Sequence, residues 1–403
     1  MGTYIIIGII ILLLLLLLVP IKGRTYEKPV FKRHVDERDT MFSRNEIKPG
    51  EERFGEYYGL RAEKRDRDDN WRAKPGLLSE GTTCYNKLGF AAAEASFEAV
   101  EAFFPLREKG PSFATSSVKT SEVGEATEGE KGVDESHKLS QFIKEWCRKM
   151  GAADVGIAEL RDYHFYTIGG RRERYGEPVV NNHKYGVAIT VEMDYELTMT
   201  GPQAPIVMES ARQYLRSGMI ATQVALTLRN LGFEATTHID ANYDLICPLV
   251  AKDAGLGEIG RMGLLMTRRS GPRVRISVVS TSAPLVAGRP VHDDTVLDFC
   301  TRCSKCAGVC PSASIPRGDR TEADGGIRWK IDQESCFAYW CQVGTDCGRC
   351  MAVCPYSHRD NALHRFVRWG IRNNALFRIL AVKMDDIFYG RRPQPKKVPG
   401  WIE

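Results

Sequence analysis

An excess of charge of either sign is missing from this 403-residue sequence: 56 Lys and Arg stand against 51 Asp and Glu, a net of +5. A balance this close to neutral gives no electrostatic footprint for nucleic acid, and none is expected as a partner. The compositions of disordered and collagen-like chains are missing too, since 43% of residues are hydrophobic and 27% charged; the chain is expected to fold around a core. No internal repeat of fixed period is present. Cysteine is scarce except in one stretch: of twelve, only Cys84, Cys147 and Cys247 lie outside residues 300–354. Crowding of the other nine implies metal ligation or disulfides.

The longest apolar run is YIIIGIIILLLLLLLVPI at residues 4–21, eighteen positions without a charge. At about 1.5 Å per residue, such a helix approaches the ~30 Å hydrocarbon core of a bilayer. Only three residues precede it, none of them basic, and no small-residue cleavage site follows, so an uncleaved anchor is expected rather than a secretory signal. No twin-arginine pair comes before it. Lys22, Arg24, Lys28, Lys32 and Arg33 follow it, and the positive-inside rule predicts a single-pass membrane protein whose folded part is cytoplasmic. The membrane lipid bilayer is therefore an expected partner.

Residues 1–24 are read as this transmembrane anchor and 25–136 as an N-terminal arm and linker. Residues 26–69 are highly charged without a period of 2 or 3.6, which predicts an extended arm; a short helix is expected at 91–104, and the Ser-, Thr-, Gly- and Glu-rich residues 110–136 read as a surface linker. Residues 137–290 form the main domain. Leu139, Phe142, Ile143 and Trp146 space as one helix face, strands are expected at 154–160, 185–193 and 274–280, and Leu215, Met219 and Leu226 mark a helix stopped by Gly232. Helices alternating with strands predict an α/β (α+β) sandwich. A cysteine module at 291–365 and a C-terminal extension at 366–403 complete the chain.

Cys300, Cys303, Cys306 and Cys310, followed by Pro311, spell C-x2-C-x2-C-x3-C-P, the ferredoxin run for a [4Fe-4S] cluster. Cys347, Cys350 and Cys354, followed by Pro355, repeat its second half, with Cys336 and Cys341 upstream as candidates for the missing thiolate. Two clusters are implied. In such pairs the fourth cysteine of a run crosses to the other cluster, so Cys300, Cys303, Cys306 and Cys354 are assigned to one cubane and Cys310, Cys336, Cys347 and Cys350 to the second, leaving Cys341 spare. Zinc sites usually pair two C-x2-C knuckles, and disulfides do not suit a cytoplasmic face. Two clusters in series deliver single electrons to an acceptor elsewhere in the chain.

Across roughly residues 137–393 the chain resembles the corrinoid-dependent reductive dehalogenases. The resemblance is carried in order by GAADVGIAEL at Gly151, DAGLGEIGRMGLLMT at Asp253, SGPRVR at Ser270, the two cluster runs, SCFAYWCQVGTDCGRCMAVCPYS at Ser335 and MDDIFYGRRP at Met384. It implies a cobalamin, bound base-off in a nitroreductase-like α/β domain, fed by a ferredoxin-like module. It also implies an organohalide substrate whose halogen is replaced by hydrogen, and a low-potential electron donor; a homodimer is an open expectation. Carried over by motif, Tyr214 is the proton donor, with Asn242 and Arg275 beside it and Arg273 as the alternate for Arg275. Gly255, Gly257 and Gly260, with Arg261, are expected against the corrinoid, where glycine lets backbone approach closely.

These residue types suit the chemistry. Replacing halide by hydrogen takes two electrons and one proton, and a phenol beside a guanidinium can supply the proton because the cation lowers its pKa and stabilises the phenolate left behind. The Asp-x-His-x-x-Gly signature of histidine-ligated cobalamin is absent, the nearest stretch being Asp162-Tyr163-His164, and His164 is expected to be structural. Arg171, Arg172 and Arg174 are read as a solvated basic cluster. Two other readings stay open: an epoxyqueuosine-reductase-like enzyme acting on an unhalogenated substrate, and a non-catalytic electron-transfer protein.

Overall fold

The computed structural model describes residues 4, 16–28, 31–32, 35–108, 130–290, 292–323 and 326–402. Six strands concern the site: β1 (Asp154–Glu159), β2 (Tyr185–Glu192), β3 (Ala235–His238), β4 (Gly257–Ile259), β5 (Leu265–Thr267) and β6 (Val274–Thr281). Four of them form one antiparallel sheet in the order β1-β2-β6-β3, with Ile157 opposite Val187 and Val187 opposite Val279. The two central strands are buried on both faces, so their apolar residues run continuously instead of alternating.

Helices cover both faces of the sheet. On one side Ile143 of the helix Glu130–Lys149 and Val224 and Leu228 of the helix Pro205–Asn230 pack on Ile157, Ile189 and Val279. On the other, Val250 and Ala251 of the helix Cys247–Asp253 meet Ala158, Ala188 and Val278. The expected α/β sandwich is present. The core stripe of the long helix is displaced from its expected path, however: Ile220, Val224 and Leu228 are buried while Met219 is exposed. A second helix, Lys87–Glu101, packs its Phe90 and Ala93 against Val207 and Ala211, so the long helix serves two apolar partners rather than one.

The charged arm is not extended. It folds into short helices at Met41–Glu46, Glu52–Leu60 and Arg65–Arg72, held by small apolar clusters around Tyr57 and Trp71 and by buried polar contacts. Arg44 donates to Asp68 at 2.7 Å and to Glu334 at 2.8 Å, and the Tyr58 hydroxyl donates to Asp68 at 2.6 Å. Arg44 and Asp68 are fully buried. Arg44→Met strands that carboxylate, and should lower stability by about 3–5 kcal/mol in urea unfolding.

The divisions expected at 136/137 and 365/366 both fall inside helices, Glu130–Lys149 and Ala362–Asn373. Ile371 and Phe377 from the C-terminal helices share one core with Phe299 and Tyr356 of the cysteine module, so the tail is part of that module's packing. Among the described residues no helix is long and apolar enough to cross a membrane; most of the span expected at residues 4–21 lies outside them.

Candidate functional site: a cavity between the sheet and the cysteine module

The module's helices Asp294–Cys303, Lys305–Val309, Gln333–Val343 and Arg349–Ala352 carry or flank the eight expected ligand cysteines and Cys341, none of them in a disulfide. Burial raises the thiol of Cys354 far above its usual range, and the neighbouring Cys300, Cys303 and Cys306 press it further. The other four form a second set: burial pushes Cys336 up to about 12, with Cys350 and Cys310 adding to it, and Cys347 is raised by burial and then by Cys350 and Cys336. Cys306 also feels Cys350, so the sets are neighbours. Crowded, desolvated sulfurs are costly as free thiolates, and bonding to iron neutralises that charge. The donor sets therefore fit two cubanes in the crossed pairing. Among the described residues no three His, Cys, Asp or Glu side chains converge on a point where a single ion would sit. Cys341 lies apart, packed with Trp71 and Phe337, its thiol pushed by burial up to about 11.

A cavity of about 410 Å³ opens beside the second set, and Cys310, Cys336, Cys347 and Cys350 all line it while none of the first set does. Its other walls come from three parts of the chain: Phe42 and Phe97 from the N-terminal region, Tyr214, Asp240 and Arg275 from the sandwich, and Tyr339 and Trp340 from the module. No histidine is among its lining residues. His164 is buried elsewhere, accepting from Arg161 N at 3.0 Å and paired with Asp253 at 3.1 Å.

Tyr214 and Arg275 meet here as expected. The guanidinium lies over the Tyr214 ring at 5.0 Å from its centre, and donates to Asp346 Oδ2 at 2.7 Å and to Ser210 Oγ at 2.5 Å. The cation does favour phenolate, yet desolvation outweighs it, and the Tyr214 phenol is pushed up to about 12. The phenol therefore keeps its proton at neutral pH. Arg273 is excluded from the cavity: its Nε donates to Ser357 O at 2.7 Å and its Nη2 to Glu192 at 3.0 Å, tying the sheet to the module.

Three expectations are corrected. Asn242 does not reach the cavity. A tight turn, in which Ile239 N donates to Asn242 O at 3.1 Å and Asn242 N to Ile239 O at 3.0 Å, holds Ala241 at φ 58° and sends Asn242 to Arg107 Nη1 at 3.0 Å. Asp240, two residues earlier, takes the cavity position, and burial raises its carboxyl above the ordinary range. Gly255, Gly257, Gly260 and Arg261 do not line the cavity either. A Cβ on Gly257 would lie 2.3 Å from Met266 O, so this glycine permits the β4–β5 pairing, and Gly260 backs onto Cys300. Arg261 donates to Cys300 O at 3.1 Å and to Pro316 O and Gly318 O at 2.8 Å, which braces the first cysteine set; Met262 and Leu264 of the same loop do reach the cavity. Finally, Arg171 is part-buried in the cavity wall and paired with Glu46, while Arg172 pairs with Glu101 near the surface and Arg174 bonds Asp244. Nothing in the local pattern separates Arg171 from Arg172; the arm that buries one of them is distant in sequence.

Fold and site together define an iron–sulfur redox protein in which one of two cysteine sets abuts a buried cavity. Comparison with known proteins agrees. The family model of the 4Fe-4S dicluster domain matches residues 299–358. The tetrachloroethene reductive dehalogenase of Sulfurospirillum multivorans is 33% identical over 291 residues, 63% of this chain and 58% of that protein. A solved reductive dehalogenase, described as suggesting a mechanism for B12-dependent dehalogenation, is similar at TM-score 0.65 and 25% identity, over 81% of this chain and 46% of its own. Epoxyqueuosine reductase of Pseudomonas aeruginosa is 25% identical over 259 residues, 55% of this chain and 69% of that protein. The chain spans roughly half the length of the curated relatives it matches.

Proposed function

We propose that this protein is a reductive dehalogenase that replaces a carbon-bound halogen by hydrogen, taking two electrons through the clusters and one proton from Tyr214. The observation that carries this reading is that all four thiols of one cysteine set face the same cavity as Tyr214 and Arg275. The first set stands behind the second, an order that suits electrons passing inward from a low-potential donor.

Cobalamin in a nitroreductase-like domain is the cofactor this reading requires, and the cavity suits it: the walls are largely apolar, with Arg171, Asp240, Ser210 and Arg349 as polar partners for an amide-fringed ring, and no histidine to ligate a metal. When bound, the corrinoid would supply a low-valent cobalt as reductant at the carbon–halogen bond. The chain's own residues do the rest. The Tyr214 hydroxyl delivers the proton, Arg275 stabilises the phenolate that remains and offers a positive field to departing halide, and Asp346 and Ser210 hold the guanidinium in place. Phe42, Phe97 and Trp340 keep water away from the reacting carbon.

Membrane attachment through residues 4–21, with the folded part cytoplasmic, belongs to the same proposal. The test is anaerobic reconstitution with cobalamin, iron and sulfide, followed by assay of halide release from organohalides with reduced viologen. Corrinoid-dependent product supports the reading; bound clusters and corrinoid without turnover on any organohalide would move it to an unhalogenated substrate or an electron carrier. Iron content tests the ligand sets separately. Cys350→Ala and Cys354→Ala should each lower iron from about eight to about four per chain, whereas Cys341→Ala should leave it unchanged.

A further inference from the structure

The C-terminal helices Ala362–Asn373 and Ala375–Tyr389 meet at Asn374, whose side chain accepts from Leu376 N at 2.8 Å and Phe377 N at 2.9 Å. Their inner faces are core, through Ile371, Phe377 and Val382. Their outer faces are apolar as well. Leu363, Phe366 and Trp369 recur every three residues along the first helix, and Leu376, Leu380 and Ile387 follow at helical spacing along the second; all six are exposed, Ile387 by 77%. So much large apolar side chain on one surface marks a contact.

Position and charge say what that contact is. Ile21 N donates to Asn373 O at 2.9 Å and Ile21 O accepts from Ala375 N at 3.0 Å, while Asn374 Nδ2 donates to Leu16 O and Val19 O at 2.8 Å each. Leu16, Leu18 and Val19 are exposed there. They close the charge-free stretch of residues 4–21, so the hairpin surface continues into the described end of that stretch. Between residues 362 and 397 nine Lys and Arg stand against two Asp; Arg368 and Arg378 are buried against Asp360 and Asp298 and Lys396 pairs with Glu196, and the remaining cations still outnumber the two acids. Asp385 is engaged by His358 at 2.6 Å and Asp386 by Arg391 at 3.3 Å. A second copy of this chain would meet the same positive excess and be repelled, whereas anionic headgroups complement it. Trp369 and Tyr389 are of the types that gather at the boundary between headgroups and acyl chains.

We propose that the helix pair 362–389 lies in the interfacial plane of an anionic bilayer, apolar face down, as a hold on the membrane additional to the N-terminal apolar stretch. Such in-plane amphipathic helices bind by burying apolar area beneath a basic rim. The hold sets the module's C-terminal side against the lipid, and it is independent of the dehalogenase reading.

The test is tryptophan emission of the full chain, clusters loaded, in phosphatidylcholine–phosphatidylglycerol vesicles with brominated acyl chains. A quenched component is expected that disappears in Trp369→Phe and diminishes when phosphatidylglycerol is left out. Leu363→Ser/Ile387→Ser changes two exposed positions, so it should keep the cluster absorbance and lose the same component. Equal quenching in wild type and Trp369→Phe would overturn the proposal, as would a Trp369 shielded from bromolipid in a cross-linkable dimer. No substrate enters the measurement, so its failure is distinguishable from failure of the catalytic assignment.

Discussion

Tyr214→Phe is expected to lower turnover by about 10²–10⁴-fold, the usual worth of a positioned proton donor, while cluster content and stability stay close to wild type. The substitution removes one hydroxyl and keeps the ring over which the Arg275 guanidinium lies. If the hydroxyl supplies the proton, the loss falls on kcat, because electrons still arrive and substrate still binds. A drop in KM alone with kcat unchanged would remove Tyr214 from the chemistry. The pH profile gives a second check. Burial raises the phenol to about 12, so the proton-bearing form persists through neutral and mildly alkaline pH. The Tyr214-dependent limb should therefore be a fall in rate only as pH approaches about 12. The stability sign agrees: with its folded pKa above the unfolded value, Tyr214 contributes stability that is complete below about 10 and lost as pH rises towards about 12.

Arg275→Met should abolish turnover and also cost about 3–5 kcal/mol of stability in chemical unfolding. The reason is Asp346, which lies 2.7 Å from the guanidinium and has burial raising its pKa, with Arg275 the largest opposing influence. Without the arginine, the carboxylate stays buried and unpaired. Arg275→Met/Asp346→Leu removes both charges and should recover most of the stability while remaining inactive. That split separates the arginine's part in catalysis from its part in folding. A double variant no more stable than the single would mean that the loss comes from packing against Tyr214 instead.

Much of this architecture was legible beforehand, for identifiable reasons. β2 and β6 were readable because central strands buried on both faces need unbroken runs such as GVAITV, which little else in the chain imitates, and the edge strand β1 carries a buried run of its own. The cysteine sets were readable because cubane ligation demands a fixed local spacing. The arm was misread because its helices are short and partly carried by the Arg44, Asp68 and Glu334 ion pairs, so the stripe of Phe54, Tyr57 and Tyr58 is too brief to stand out among charges. Asn242 was misplaced because a single tight turn, with Ala241 in the left-handed region, decides which of two polar residues two positions apart faces the cavity.

By itself, then, the sequence determined what local order can encode, the strand runs and the cysteine spacings, while the pairing of a phenol with a guanidinium was implied only by the resemblance. Only the tertiary structure decided which of the flanking groups share the cavity. Arg275 rather than Arg273, Asp240 rather than Asn242, and Arg171 rather than Arg172 are choices among chemically similar neighbours. Each was made by an element far away in the chain: the module carrying Asp346 took Arg275, and the arm carrying Glu46 took Arg171. Burial then set the protonation of the phenol, since desolvation inside that assembled cavity outweighs the nearby cation and keeps the proton on Tyr214.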